Sequence, residues 1–98
     1  KNKFIVGYVG TVGVANALNY LIESANLLGG VPEILFIIVG DGQEKSALMT
    51  KAETLKNVLF ISSIPKPQVQ SMLAFFDVCY IGLKKEKLLY IFYSVLSY

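Results

Sequence analysis

The segment ILFIIVGDG, residues 34–42, decides the fold of this chain of 98 residues. Its apolar part is continuous, so hydrophobicity neither alternates as in a half-buried strand nor recurs at helical spacing. A continuous apolar run of this length is typical of a parallel strand that is covered on both faces. The following Gly40, Asp41 and Gly42 predict a tight turn at the carboxyl end of the strand.

Three more runs of this kind, rich in β-branched and aromatic residues, occur at residues 4–9, 58–61 and 78–81. The segments between them carry apolar residues at helical spacing, which predicts helices over about 18–28, 43–55 and 66–76. Gly29 and Gly30 are suited to end the first helix, and Pro67 to the first turn of the third. This alternation predicts an α/β, Rossmann-like, three-layer domain with a four-stranded parallel sheet.

The composition indicates one compact domain and excludes several functions. A hydrophobic content of 54% with 16% charged residues excludes a disordered chain. A net charge of +2 gives no strong field, so we expect no nucleic-acid partner. With no histidine and one cysteine, a zinc site and an internal disulfide are excluded, and we expect no metal and no cofactor. The apolar runs are too short to span a bilayer, and a lone thiol suits the reducing cytoplasm.

The loops after the four runs are the candidate binding positions, because ligands of open parallel sheets bind beyond the carboxyl ends of the strands. We expect all four loops at one edge of the sheet: residues 10–13, 40–42, 62–66 and 82–85.

The first of these loops is rich in glycine. Gly7, Gly10 and Gly13 let the backbone approach a ligand, and a helix start beyond them would favour phosphate. The GxxGxxG spacing differs from both the dinucleotide fingerprint and the P-loop. A tight turn that simply needs glycine is an equally good interpretation.

The next two loops each allow two interpretations. Asp41 could accept a hydrogen bond from a ribose hydroxyl. We favour the alternative that Asp41 or Gly42 lies near the start of the second helix and that Glu44 lies in its first turn, where an acid interacts favourably with the helix dipole. In residues 62–68, Ile64 could lie against a nucleobase. Equally, Ser63 could cap a turn while Ile64 packs on the next helix.

Three other polar features receive structural interpretations. Cys79 lies inside an apolar run, which favours a buried small side chain over a nucleophile. Asp77 precedes that run at the edge opposite the loops, which favours a turn or capping role. The charge run at residues 84–87 could meet phosphates or anionic lipid, but is more typical of a solvated face.

Four segments, in order, resemble the C-terminal domain of group 1 (family 4) GT-B glycosyltransferases: residues 4–13, 36–44, 57–61 and 77–83. The closest similarity is to members that build capsule, colanic-acid or lipopolysaccharide sugars, and it covers about residues 4–87. The resemblance implies a retaining, metal-free transfer from a UDP- or GDP-sugar, bound opposite a separate N-terminal acceptor domain that this chain lacks. It also implies a cytoplasmic enzyme with peripheral contact at the inner face of the membrane.

The resemblance also implies site residues. It places the diphosphate at Gly10, Thr11, Val12 and Gly13, and the nucleobase and ribose at Ser63, Ile64, Lys66 and Gln68. Many family members carry an Arg after the first strand and a Lys at the next helix start. This chain has Thr11 and Ala15 or Asn16 there, so backbone amides would contribute more.

The end of the chain departs from the family, which continues into a helix with paired glutamates seven residues apart. Residues 88–98, LLYIFYSVLSY, contain no acid. They are typical of a premature or out-of-frame end, and the start at Lys1 without Met indicates a piece of a longer protein. We therefore expect a partial nucleotide-sugar-binding domain at residues 1–87 and an atypical apolar tail at residues 88–98.

The missing acids lead us to predict no catalytic residue in this chain and no transferase activity by the chain alone. Two alternatives stay open at this stage. One is an isolated nucleotide- or dinucleotide-binding module, favoured by Asp41. The other is a non-catalytic interaction fragment whose β-prone, uncharged tail pairs with an exposed sheet edge or with another chain, so that the fragment self-associates through that edge or the tail.

Overall fold

The structure is a computed structural model that describes residues 3–13, 17–83 and 88–93. The elements follow in the order β1 Phe4–Val9, α1 Asn19–Leu27, β2 Ile34–Val39, α2 Lys45–Lys51, β3 Val58–Ile61, α3 Lys66–Phe75, β4 Val78–Leu83 and β5 Leu88–Tyr93. The described helices have 9, 7 and 10 residues, and none of them is long and apolar enough to cross a bilayer.

The strands form one sheet in the order β3-β2-β1-β4-β5. The first four are parallel, with Phe4 opposite Ile34 at the start of the β1–β2 ladder. This confirms the predicted α/β domain with its four-stranded parallel sheet. The fifth strand is antiparallel to β4, with Leu88 opposite Leu83, and its residues belong to the segment that we expected to be an atypical tail.

The core lies on both faces of the sheet, as the continuous apolar runs predict. In β2, Phe36 and Ile38 join the cluster beneath α1 and α2, whereas Ile37 and Val39 join the cluster beneath α3. All four are at most 3% exposed. Full burial of each such side chain contributes about 1.5–3 kcal/mol, so β2 stabilises the sheet through both of its faces.

The second helix differs from its prediction at both ends. It begins at Lys45 and ends at Lys51, so Glu44 is at the N-cap position rather than in the first turn. Ala52 and Leu55 continue the apolar stripe in a turn, where the Leu55 amide donates to the Ala52 carbonyl at 2.9 Å. The spacing of apolar residues in the sequence reflects burial, and the buried stripe continues beyond Lys51, so the predicted helix was too long at this end.

The start of β4 is fixed by two hydrogen bonds to β1. The Asp77 amide donates to the Ile5 carbonyl at 2.8 Å, and the Asp77 carboxylate accepts from the Ile5 amide at 2.6 Å. Asp77 therefore has a structural role at the edge opposite the candidate loops. Beside it, the Phe76 ring fills the space over Gly7, where an added Cβ would lie 2.3 Å from the ring.

Candidate functional site

The loops that follow β1, β2 and β3 meet at the carboxyl edge of the sheet. The Gly10 amide donates to the Val39 carbonyl, and the Gly40 amide donates to the Ile61 carbonyl, each at 2.9 Å. The ladder therefore continues one residue beyond β1 and β2, so the three loops leave the sheet side by side.

Glycine is what allows the first two loops to approach so closely. Gly40 has a φ of +146°, and a Cβ there would lie 1.8 Å from the Gly10 carbonyl oxygen. A Cβ on Gly42 would lie 2.3 Å from the Val12 carbonyl oxygen. Both obstacles are backbone atoms, so no side-chain movement could relieve them.

Val12 is the point where the first loop inserts into the second. It is completely buried, its amide donates to the Asp41 carbonyl at 3.1 Å, and its carbonyl accepts from the Glu44 amide at 3.0 Å. The β1 loop is thus a fixed part of the β2–α2 connection.

Asp41 connects the second loop to the third. Its carboxylate accepts from Lys45 Nζ at 2.9 Å and from the Ser63 amide at 3.0 Å. The Lys45 hydrogen bond, followed by those from the Ser63 amide and hydroxyl, lowers the pKa of Asp41 to about 2. Asp41 therefore lies near the start of α2, as favoured, and is an exposed anion that also joins this helix start to the third loop.

Two tyrosines each donate a hydrogen bond to one of the two described parts of the β1–α1 connection, residues 10–13 and 17–18. Tyr8 donates its hydroxyl to the Thr11 carbonyl at 2.6 Å, and Tyr80 donates to the Ala17 carbonyl at 2.5 Å. Their rings meet edge to face, with centroids 6.5 Å apart. Burial raises the pKa of Tyr8, and it raises that of Tyr80 to about 12, so the ionised form is disfavoured at both positions.

The hydrogen bonds of these two tyrosines were not predicted, because both residues counted only as apolar members of strands. The available signal was the hydroxyl itself, since a buried tyrosine normally finds a hydrogen-bond partner. Sequence could not indicate which partner.

The four residues predicted for the diphosphate lie together in the β1 loop. The amides of Gly10 and Val12 already donate to Val39 and Asp41, while Thr11 is exposed. The helix that follows begins only at Asn19, with Leu18 at the N-cap and no side-chain cap. The amino end of α1 is therefore separated from the glycine turn in sequence.

The four residues predicted for the nucleobase and ribose lie around the start of α3. Ser63 donates its amide to Asp41, and Lys66, the first helical residue, is exposed. The N-cap of α3 is Pro65, with no side-chain cap, so Ser63 does not cap this helix. Pro67 lies in the first turn, as predicted.

Ile64 and Gln68 line an open apolar groove of about 560 Å³ between β3 and α3. Leu59 and Phe75, on the same groove, are each 46% exposed. Ile64 also packs against the core cluster beneath α3. The structure thus separates the four predicted residues: Ser63 faces Asp41, Ile64 and Gln68 face the groove, and Lys66 is exposed at the start of α3.

The fourth predicted loop is partly strand. Gly82 and Leu83 belong to β4, and residues 84–87, with their charge run, lie outside the described part of the chain, as do Ala15 and Asn16. Cys79 packs against the cluster beneath α3, and burial raises the pKa of its thiol, which disfavours a nucleophilic thiolate.

No protein-family model and no curated protein matches the chain. Its fold matches part of several solved GT-B glycosyltransferases. S. aureus TarM, a mutant form solved with UDP among its ligands, is 23% identical with a TM-score of 0.71 over 81% of this chain. HepE from Anabaena, solved with UDP-glucose, is 23% identical with a TM-score of 0.65 over 84%. WaaG, a glycosyltransferase involved in lipopolysaccharide biosynthesis, is 20% identical with a TM-score of 0.66 over 85%.

These similarities establish the fold: an α/β, Rossmann-like domain of the kind found in GT-B glycosyltransferases. The chain spans only 16% of TarM, 24% of HepE and 23% of WaaG.

Proposed function

We propose that this chain is the donor-binding part of a retaining, metal-free GT-B glycosyltransferase and that its ligand is a UDP-sugar, with a GDP-sugar as the second candidate. The observation that carries the proposal is that three loops are joined at the carboxyl edge of the sheet, by the Asp41 carboxylate and by the backbone hydrogen bonds of the Gly10 and Gly40 amides. This edge is where open α/β sheets bind nucleotides. TarM was solved with UDP and HepE with UDP-glucose, which supports a uridine nucleotide as the ligand of this chain.

In this proposal the diphosphate lies against the β1 loop. Gly10 and Val12 set the shape of the turn with their own amides, and Thr11 and Gly13 provide its outer surface. The negative Asp41 would repel a diphosphate, but the Lys45 ammonium at 2.9 Å offsets that charge.

The nucleobase and ribose lie at the loop before α3. Ile64 provides an apolar surface, the exposed Lys66 a cation, and Gln68 a side-chain amide that can donate and accept. Ser63 acts chiefly by fixing the loop to Asp41.

The rest of the reaction belongs to parts outside this chain. We propose that an N-terminal acceptor domain and acidic residues from elsewhere complete the enzyme, that it works in the cytoplasm at the inner membrane face, and that it builds a surface polysaccharide. WaaG, with its role in lipopolysaccharide biosynthesis, supports the last point. The chain alone should then bind a nucleotide without transferring sugar.

Calorimetric titration of the chain with UDP, GDP and NAD tests the proposal. We expect UDP or GDP to bind and NAD not to bind, because the Asp41 carboxylate that would meet a dinucleotide ribose is occupied by Lys45 and Ser63. Lys66→Ala should weaken the binding. Lys56→Ala, which removes an exposed cation before the start of β3 at the opposite edge, should not.

Three results would contradict the proposal. Binding of NAD alone would favour a dinucleotide module. Absence of UDP and GDP binding at millimolar concentration would refute a nucleotide site. Equal loss of binding in the two lysine variants would place the ligand away from α3.

A further inference from the structure

The strand order determines which loop a bound nucleotide would cross at the carboxyl edge. Because β2 lies between β1 and β3, the β2 loop with Asp41 lies between the β1 loop and the loop that leads from β3 to α3. Neighbouring strands are about 4.8 Å apart, so the two outer loops are separated by roughly 10 Å. A nucleotide with its base at the loop before α3 and its diphosphate at the β1 loop therefore passes over the β2 loop.

An ion pair lies at this crossing point. The Lys45 ammonium donates to the Asp41 carboxylate at 2.9 Å, and the Lys45 side chain is only 17% exposed, so its position is restricted. The pKa of Asp41 is lowered to about 2, so its carboxylate is ionised at neutral pH and the pair persists. An ammonium has three N–H groups, and the bond to Asp41 uses one of them.

Hydrogen bonds join this ion pair to both proposed subsites. On the diphosphate side, the Asp41 carbonyl accepts from the Val12 amide at 3.1 Å, and the Glu44 amide donates to the Val12 carbonyl at 3.0 Å. On the nucleobase side, the Asp41 carboxylate accepts from the Ser63 amide at 3.0 Å. All of these contacts are between described residues, so the position of the Lys45 ammonium is defined relative to both subsites.

The carboxyl edge offers a diphosphate few positive charges among the described residues. The amides of Gly10 and Val12 already donate to the Val39 and Asp41 carbonyls. Of the lysines in the described ranges, only Lys45 and Lys66 lie at this edge. The others lie at the opposite edge: Lys3 before β1, Lys51 at the end of α2 and Lys56 before β3.

We propose that Lys45 is a binding residue of the donor site, and that its ammonium donates to the diphosphate of the nucleotide while Asp41 holds it in place. This inference rests on the proposed function. A hydrogen bond from a cation to a phosphate oxygen is stronger than one between neutral groups. Because the lysine side chain is already restricted, it also loses less conformational freedom when the ligand binds.

The first test compares two lysines on the same helix. Lys51, the last residue of α2, forms an ion pair with Glu23 at 3.4 Å and lies at the opposite edge, so Lys51→Met is the matched control for Lys45→Met. In calorimetric titration, Lys45→Met should bind UDP about ten- to a hundredfold more weakly, the factor that corresponds to one hydrogen bond to a charged group. Lys51→Met should bind UDP like the unchanged chain, and Lys45→Arg, which keeps the cation, should retain most of the affinity.

The second test separates a contact with phosphate from simple neutralisation of Asp41. Asp41→Asn removes the negative charge but keeps an oxygen that can accept from Ser63. In the Asp41→Asn background, Lys45→Met should still weaken UDP binding by a similar factor. If Lys45→Met has no effect in that background, Lys45 only neutralises the carboxylate and its contact with the diphosphate is refuted.

The outcomes also separate this proposal from the proposed function. If the unchanged chain binds UDP and Lys45→Met matches Lys51→Met in affinity, the nucleotide site stands and the role of Lys45 is refuted. If the unchanged chain binds neither UDP nor GDP, the nucleotide site and the role of Lys45 are refuted together. Far-ultraviolet circular dichroism checks that each variant is folded, and Lys45→Gln gives the same comparison if Lys45→Met does not fold.

Discussion

Substitution of Gly40 by Ala should cost more stability than the same substitution at any other glycine whose surroundings the structure describes, namely Gly7, Gly10, Gly29, Gly30 and Gly42. A φ of +146° is a region that only glycine occupies readily, and holding another residue there costs about 1–3 kcal/mol. The new Cβ would also lie 1.8 Å from the Gly10 carbonyl oxygen, roughly half of an ordinary carbon–oxygen contact. Because the Gly10 amide is bonded to Val39, relief requires breaking that bond, worth about 1 kcal/mol, and separating the ends of β1 and β2.

We therefore expect a loss of about 3 kcal/mol or more, a large part of the 5–15 kcal/mol that stabilises a typical domain. Urea unfolding followed by far-ultraviolet circular dichroism measures it. The matched control is Gly30→Ala, where an added Cβ meets nothing within 4 Å, so its effect should be within about 1 kcal/mol of zero. If the two variants unfold at the same urea concentration, the close approach of the two loops is not a feature of the folded protein.

Three further predictions concern the core and the site. Phe76→Ala should destabilise the fold by about 3–5 kcal/mol because the ring is 1% exposed. Gly7→Ala should cost less stability in a Phe76→Leu background than in the unchanged chain, because the Phe76 ring is what an added Cβ would meet; thermal unfolding of the single and double variants measures this. The pKa of Asp41 lies below its usual value, so the ionised carboxylate stabilises the fold above about pH 4, and this contribution is lost as the pH falls towards 2. Lys45→Ala should raise the Asp41 pKa, measured by carboxyl-carbon NMR titration, and an unchanged value would mean that the ion pair does not form in solution. Asp77→Ala leaves the Ile5 amide without its acceptor and should cost about 1–3 kcal/mol in urea unfolding, whereas a loss below 0.5 kcal/mol would contradict that bond.

The parallel strands could be predicted because their signal is local. Each is a continuous apolar run, and the burial of both Phe36 and Ile37 on opposite faces of β2 is the physical cause of that continuity. The fifth strand was foreseen only as one alternative, a β-prone tail that pairs with an exposed sheet edge. A segment such as Leu88–Tyr93 is apolar enough for a strand, but its antiparallel partner is chosen by the open edge of β4, which no local pattern records.

The position of the candidate site could be predicted, but the hydrogen bonds within it could not. The strand order places the first three loops at one edge, so Gly10, Asp41 and Ser63 were found as neighbours of one site. What each does depends on partners distant in sequence: Asp41 meets Ser63 across 22 positions, and Tyr80 meets Ala17 only because β4 lies next to β1. The helix-start rules place Asp41 correctly near Lys45, the first residue of α2, but they do not indicate its hydrogen bond to Ser63.

The antiparallel return of β5 has a practical consequence for experiments on this chain. Tyr93 lies opposite Val78, and Val78 lies opposite Val6, so the described chain both enters and leaves at the edge where the parallel strands start. With strands about 4.8 Å apart, Phe4 and Tyr93 are separated by roughly 12 Å. A linker attached before Phe4 or after Tyr93 would therefore anchor the molecule to a sensor surface with its glycine loops directed into solution. The nucleotide affinity measured through either attachment should be the same.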